Sequence, residues 1–383
     1  MKALMTICFS LYSVILLAQA TIQGVVYDGS TQTPLPGANA FIANTTKGTS
    51  TNADGTFTIR GLQPVRYELV VSFIGYKTQV TSIVAGEPTV YIFKLVPDIQ
   101  QLNEIVVRAK RIGRIKRMIW LGAFEKYFIG DGDNSLLCKL ENPHVLHLDK
   151  EGEILTAVAD STLLLLNRGL GYRVKILLQT YKYDHGVKSL HYEGFMVYEP
   201  LTPINQKQKW RWAKNRLKAY YGSPMHFYRS LYSHRANEEG YYFSLGSTRR
   251  TDSVMNPRSK LFNDMRIKIP SIVNYNVLLD TVKSTQTTPI LKFSTPLEVN
   301  YIHEGESVVF QKTMRVRVRK EIQTSYIKTR APAELLPDGR TYPVSATQIS
   351  GYWSWELMSE SLPLDYDPAE DVKIVAAGKK SSK

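Results

Sequence analysis

The sequence predicts a mainly β chain in which a small β-sandwich precedes an α+β domain with two central helices. Between Thr21 and Ala109, short β-branched runs alternate with turn residues and no helical period intervenes, the pattern of a sandwich. Beyond it, residues 154–198 carry four more strand-like runs, and Gln206–Tyr221 repeats its apolar residues at helical spacing. With 383 residues and 43% hydrophobic content, the chain has material for two cores.

Residues 1–20 read as an export signal. Lys2 precedes an apolar run from Ile7 to Leu17, and Ala18-Gln19-Ala20 gives the small-x-small pattern of a cleavage site, so the mature chain is expected to start at Thr21. The run is well short of the ~20 residues a membrane-spanning helix needs, which argues against a retained anchor. Cys8 lacks the small residues that precede an acylated cysteine, so a lipid anchor is not expected. Cleavage leaves Cys138 alone, and no intramolecular disulfide is possible.

In the first domain, Ile22 to Tyr27 is a strand closed by Asp28-Gly29-Ser30, and Pro34-Leu35-Pro36-Gly37 turns the chain into Ala38 to Ile42. Asn52-Ala53-Asp54-Gly55 is a hairpin turn into Thr56 to Ile59, where Phe57 and Ile59 share a face. Tyr67 to Phe73, Lys77 to Val84 and Thr89 to Leu95 complete what reads as an antiparallel sandwich.

Several of these motifs, in this order, carry a resemblance: Ile22-Gln23-Gly24-Val25-Val26, Pro34-Leu35-Pro36-Gly37-Ala38, Lys47-Gly48-Thr49, Asn52-x-Asp54-Gly55-x-Phe57 and Val71-Ser72-Phe73-Ile74-Gly75-Tyr76. Residues 21–97 resemble the carboxypeptidase regulatory-like domain of Gram-negative envelope proteins. The resemblance implies a seven-stranded transthyretin-like sandwich that docks or spaces and catalyses nothing itself. Gln101 to Val107 resembles the segment that joins this domain to the plug of TonB-dependent outer-membrane transporters. A transporter barrel of about 22 strands does not fit into the 274 residues that remain.

The basic surplus lies in those remaining residues. Residues 1–109 hold 7 Lys/Arg and 6 Asp/Glu, leaving 41 and 28 beyond, so a net +13 of the chain's +14 belongs there. In an exported protein this points to envelope components or acidic partners and away from nucleic acid. The segment 98–117 reads as a basic linker and 118–368 as a basic α+β domain, with 369–383 a polar tail. Trp120, Phe124 and Phe128 at i, i+4 and i+8 mark a helix with either a core stripe or a face for peripheral membrane contact. Gly130 ends it, and Gly130 to Ser135 fails as a calcium loop because Leu136 and Asn142 stand where Gly and Glu are needed.

Strands follow at Ile154–Ala159, Leu163–Asn167, Val174–Tyr183 and Ser189–Tyr198. In the next helix Trp210, Ala213, Leu217 and Tyr220 recur at helical spacing among lysines and arginines. Gly222 then suits its end, Ser223 the next N-cap and Pro224 the first position of a second helix. Trp210, Trp212 and Tyr221 are candidates for stacking on sugar rings, with Arg216 bonding to hydroxyls or acids. Solvated basic faces and core packing account for the same residues. Near the end, Met314, Val316 and Val318 alternate with Arg315, Arg317 and Arg319, a strand whose Arg315 and Arg317 can grip phosphate or carboxylate.

The second domain also resembles the C-terminal half of carboxypeptidase-like regulatory domain-containing envelope proteins. The matching residues are Cys138 with Asn142-Pro143, Gly169 to Tyr172, the Trp212 to Phe227 stretch, and Gly351 to Glu356 with Leu362 to Tyr366. No assigned activity comes with it.

Catalytic motifs are absent from the sequence. His303-Glu304-Gly305-Glu306 is the only His-x-x-Glu, and no histidine follows it to supply the third ligand of a zinc carboxypeptidase site. No His-Glu-x-x-His, Gly-x-Ser-x-Gly or phosphate loop occurs. The expected protein is therefore exported to the periplasm or outer membrane and binds neither cofactor nor metal. It is a non-catalytic docking or adaptor protein for an envelope protein or glycan, without a transmembrane span. A carbohydrate-binding protein using residues 210–221 is the alternative, and a hydrolase assembled from His226, Asp184 or His185 a remoter one.

Overall fold

The computed structural model describes residues 20–98, 113–245, 275–280, 282–285, 288–313 and 321–380. The expected signal (save Ala20), the Leu102–Val107 segment and the Met314–Arg319 strand with Arg315 and Arg317 lie outside the described residues. The chain divides into two compact units, Met1–Phe41 with Lys47–Pro97 and Ile42–Thr46 with Asp98–Lys383.

The first unit is a seven-stranded sandwich. Its strands are β1 (Ala20–Asp28), β2 (Asn39–Ile42), β3 (Gly48–Ser50), β4 (Thr56–Leu62), β5 (Arg66–Ser72), β6 (Gln79–Val84) and β7 (Val90–Leu95). One sheet runs β4-β1-β7 and the other β3-β2-β5-β6. Alternation along β1 buries Ile22, Gly24 and Val26 while Gln23 stays exposed. Gly24 is required there, because a Cβ would sit 2.4 Å from the Phe57 ring. The sandwich is not wholly antiparallel as expected: β7 pairs with β1 in parallel, since the chain leaves β6 in one sheet and crosses to the edge of the other. At the Asn52–Gly55 turn, Gly55 takes φ +77° and the Asp54 carboxylate accepts from Thr56 N–H at 3.0 Å.

The second unit contains three sheets and five helices among the described residues. Helix α1 (Arg114–Ile129) ends at Gly130, which adopts φ +88° and donates its N–H to the Lys126 carbonyl. The largest sheet comprises β8 (Cys138–Leu140), β9 (Leu146–Glu151), β10 (Ile154–Ala159), β11 (Leu163–Asn167), β12 (Tyr172–Asp184) and β13 (Ser189–Pro200). The long β12 pairs with β11 along its first half, β10 along its second and β13 throughout. Phe124 and Phe128 of α1 enter its core against Tyr181, so their stripe faces inward.

Helices α2 (Gln206–Tyr220) and α3 (Pro224–Tyr232) form the two central helices. The corner between them follows its local signals: Gly222 at φ +87°, the Ser223 hydroxyl accepting from His226 N–H, and Pro224 at the first position. A second core gathers Phe227 and Leu231 of α3 with strands β14 (Tyr241–Leu245), β16 (Leu297–Tyr301) and β17 (Gln323–Thr329). These strands and β20 (Thr347–Gly351) form a four-stranded sheet, and β15 (Ile290–Leu291), β18 (Ala333–Leu336) and β19 (Arg340–Tyr342) form a three-stranded one. Helix α4 (Val308–Thr313) lies between β16 and β17 in sequence. The expected polar tail is instead largely a helix, α5 (Pro368–Lys380), held by contacts with α2 that its sparse apolar content does not announce.

Candidate functional site

The Trp/Arg cluster of α2 meets other parts of its own unit. Trp212 is buried, its indole N–H donates to the Arg168 carbonyl at 2.7 Å, and its ring fills the space a side chain at Gly171 would need. Arg216 gives two hydrogen bonds to the Asp371 carboxylate on α5, at 2.7 and 2.6 Å, and a third to the Leu170 carbonyl at 3.0 Å. The Tyr366 hydroxyl donates to the same carboxylate at 2.9 Å. Half-buried Trp210 donates to the Val375 carbonyl at 3.3 Å, and Gly378 packs against its ring. Tyr221 remains 38% exposed. Helix α5 thus covers Trp210 and Arg216, and the four residues do not share one open face.

The residues of the hydrolase expectation sit in different surroundings. His226 is buried among Tyr220, Tyr221, Tyr241 and Tyr301. Its Nδ1 accepts from Gly222 N–H at 3.2 Å, while Nε2 lies 3.5 Å from Glu239. Burial pulls its pKa down to about 4 despite Glu239, so the ring is neutral at pH 7. His185 instead packs edge-on against Tyr127 and Tyr183, and Asp184 accepts from the N–H groups of Gly186 and Val187 in a turn.

A cleft of about 480 Å³ opens in the second unit, lined by Asp133, Lys218, Glu304, Glu306, Glu321, Tyr352, Glu356 and Glu360 among others. This size is ordinary for a binding site. Lys218, at the C-terminal end of α2, bridges Asp133 and Glu304, the latter at 3.8 Å. Asn134 holds Glu360 from both sides, with its backbone N–H on Oε1 at 2.8 Å and its Nδ2 on Oε2 at 2.6 Å. Asn134 is itself fixed by Asn215 of α2, which donates to its Oδ1 at 3.0 Å. Gly169 must be glycine here, since a Cβ would fall 2.3 Å from that oxygen.

Crowding of carboxyl groups sets the cleft's electrostatics. Burial, and then Glu360, Glu304 and Asp133, hold the Glu356 carboxyl well above the usual carboxylate range. Burial also raises Glu304 and Glu360. Burial pulls Lys218 down, but Asp133, Glu304 and Glu360 more than offset it and leave the ammonium group raised. The crowded carboxyl groups make the cleft an environment that receives cationic and hydroxyl-bearing groups. Among the described residues, no three His, Cys, Asp or Glu side chains are grouped to hold a metal ion. These residues were invisible as a site in sequence, because up to 227 positions separate Asp133 from Glu360 and no spacing rule connects them.

Residues 22–107 match the CarboxypepD_reg-like domain family. The TonB-dependent receptor SusC of Bacteroides thetaiotaomicron is 38% identical over 89 residues, 23% of this chain and 8% of the receptor. The TonB-dependent receptor P39 of Formosa agariphila is 35% identical over 106 residues, 28% of this chain and 10% of the receptor. The chain thus spans about a tenth of the length of these relatives. Among solved structures, the group B streptococcus pilus 2b backbone protein is 21% identical over 21% of this chain and 42% of its own, with a TM-score of 0.19.

Proposed function

We propose that the chain is an exported, non-catalytic envelope protein, an adaptor whose regulatory-like sandwich docks while its second unit receives a protein partner in the acidic cleft. The observation that carries the reading is the concentration of carboxyl groups around that cleft, with Lys218 the one cation among its described lining residues, in a chain of net charge +14. Such a cleft selects a basic side chain presented by a partner and repels the acidic surfaces that the rest of the unit attracts. The match of residues 22–107, and the two receptors that share that stretch, support an envelope setting. A protein partner fits better than a glycan because Trp212, one of the three stacking candidates, is enclosed and Trp210 is covered by α5.

The test is co-purification of the tagged chain from detergent-solubilised envelope after mild crosslinking, in parallel with Glu321→Lys, which reverses a charge at an exposed lining position. One envelope protein recovered in stoichiometric amount by the wild type, and at least tenfold less by the variant, supports the reading. Equal recovery by both, or none by the wild type, overturns it.

A further inference from the structure

Helix α1 carries two apolar faces, and only one is explained by the core. Phe124 and Phe128 point into the large sheet, with Trp120 and Leu121 packed beside them. On the opposite side Ile115 is 71% exposed, Met118 68% and Ile119 60%. These three residues fall at i, i+3 and i+4, and Gly122 at i+7 extends the row with open space around it. They form an outward stripe about 100° wide. A soluble surface scatters such residues singly, so a continuous row on a helix already anchored by its other face marks an interaction surface.

Charge identifies what it meets. On the helical wheel Arg114 and Lys116 stand roughly a quarter-turn to either side of the stripe, and Lys126 continues its line at the far end. All three are exposed. Arg117, by contrast, lies on the inner side and donates to the carbonyls of Pro143 and Leu146, at 3.0 and 3.1 Å. The helix's one acid, Glu125, is half-buried and nearly two turns beyond Met118. An apolar row between two flanking cations has the cross-section of a helix lying in a bilayer interface, with side chains among the acyl chains and ammonium and guanidinium groups at the phosphates. Packing against a second copy would oppose cation to cation along both flanks, which disfavours self-association through this face.

We propose that α1 docks the second unit on an anionic phospholipid surface through Ile115, Met118 and Ile119, with Arg114, Lys116 and Lys126 at the headgroups. The inference goes beyond the adaptor reading and does not depend on the acidic cleft. Each cation at such a surface contributes about fivefold in partitioning.

The experiment is co-sedimentation of the chain, as it accumulates in expressing cells, with vesicles of phosphatidylglycerol and phosphatidylethanolamine and with vesicles of phosphatidylcholine. The variants are Ile115→Ser/Met118→Ser/Ile119→Ser and Arg114→Glu/Lys116→Glu, all at exposed positions, with thermal melts to show that they remain folded. The expected result is preference for the anionic vesicles, a loss of at least tenfold in the triple variant, and a similar loss in the double variant that matches the effect of raised salt on the wild type. Unchanged binding in both variants overturns the proposal, as does no binding of the wild type. So does a wild-type dimer in sedimentation velocity that the triple variant disperses, which would make the face a contact between copies.

Discussion

Arg216 and Asp371 meet through two parallel hydrogen bonds across 155 residues of sequence, and this clamp holds the last helix on the central one. The side chains are 15% and 3% exposed, so the pair sits in a medium where neither charge is tolerated alone. The Tyr366 hydroxyl and the Leu170 carbonyl complete it.

Removing one partner therefore costs more than the pair contributes. Arg216→Ala and Asp371→Asn are each expected to lower stability by about 3 kcal/mol, since each leaves a buried group without its counterpart. Arg216→Met combined with Asp371→Leu is expected to recover part of that loss. Urea-unfolding midpoints of the four proteins measure this, and additive losses in the double variant would contradict it.

Glu356 predicts a pH dependence of known sign. A carboxyl whose folded pKa lies above its unfolded value binds its proton more tightly in the folded state. Its contribution is complete below the unfolded value near 4.5 and is lost as pH rises towards the folded one. Glu304 and Glu360 are shifted the same way. Glu356→Gln should match the wild type in stability below the unfolded value and exceed it increasingly as pH rises above that value, by at most about 1.4 kcal/mol per pH unit. Thermal melts across that range decide, and a difference independent of pH would contradict the assignment.

Cys138, half-buried at the start of β8, has its thiol pushed up to about 12 by burial and then by Glu360. The thiolate needed for alkylation is then scarce at pH 8. Iodoacetamide should label the native protein at least about a hundredfold more slowly than the same protein in urea. Comparable rates in the two states would show an accessible thiol.

The legible parts of the fold were the local ones. Gly222, Ser223 and Pro224 announce their corner because cap chemistry acts within four residues, and the Asn52–Gly55 turn does so for the same reason. The parallel pairing of β1 with β7 was hidden, since neither strand encodes its neighbour. Helix α5 reads as a tail because Val372, Ile374 and Val375 are too few to suggest a buried face, and the residues that give it one, Arg216 and Trp210 among them, lie far upstream. The α2 cluster was visible as a composition of Trp, Tyr and Arg, but sequence could not tell an open face from one closed by the chain's own C-terminal helix. The cleft was hidden more deeply, because Asp133, Lys218, Glu304 and the Glu356/Glu360 pair converge from four separate stretches. His303-Glu304 stands out in sequence only as part of a zinc motif that it does not complete.

The most direct measurement of the adaptor role is site-specific photocrosslinking in intact cells from Val308, a cleft-lining residue that is 53% exposed, with Val277, 54% exposed and outside the cleft lining, as the control. The account predicts one discrete adduct with a single envelope protein from position 308 and none from position 277. No adduct from 308, or the same pattern from both positions, would contradict a partner bound at the acidic cleft.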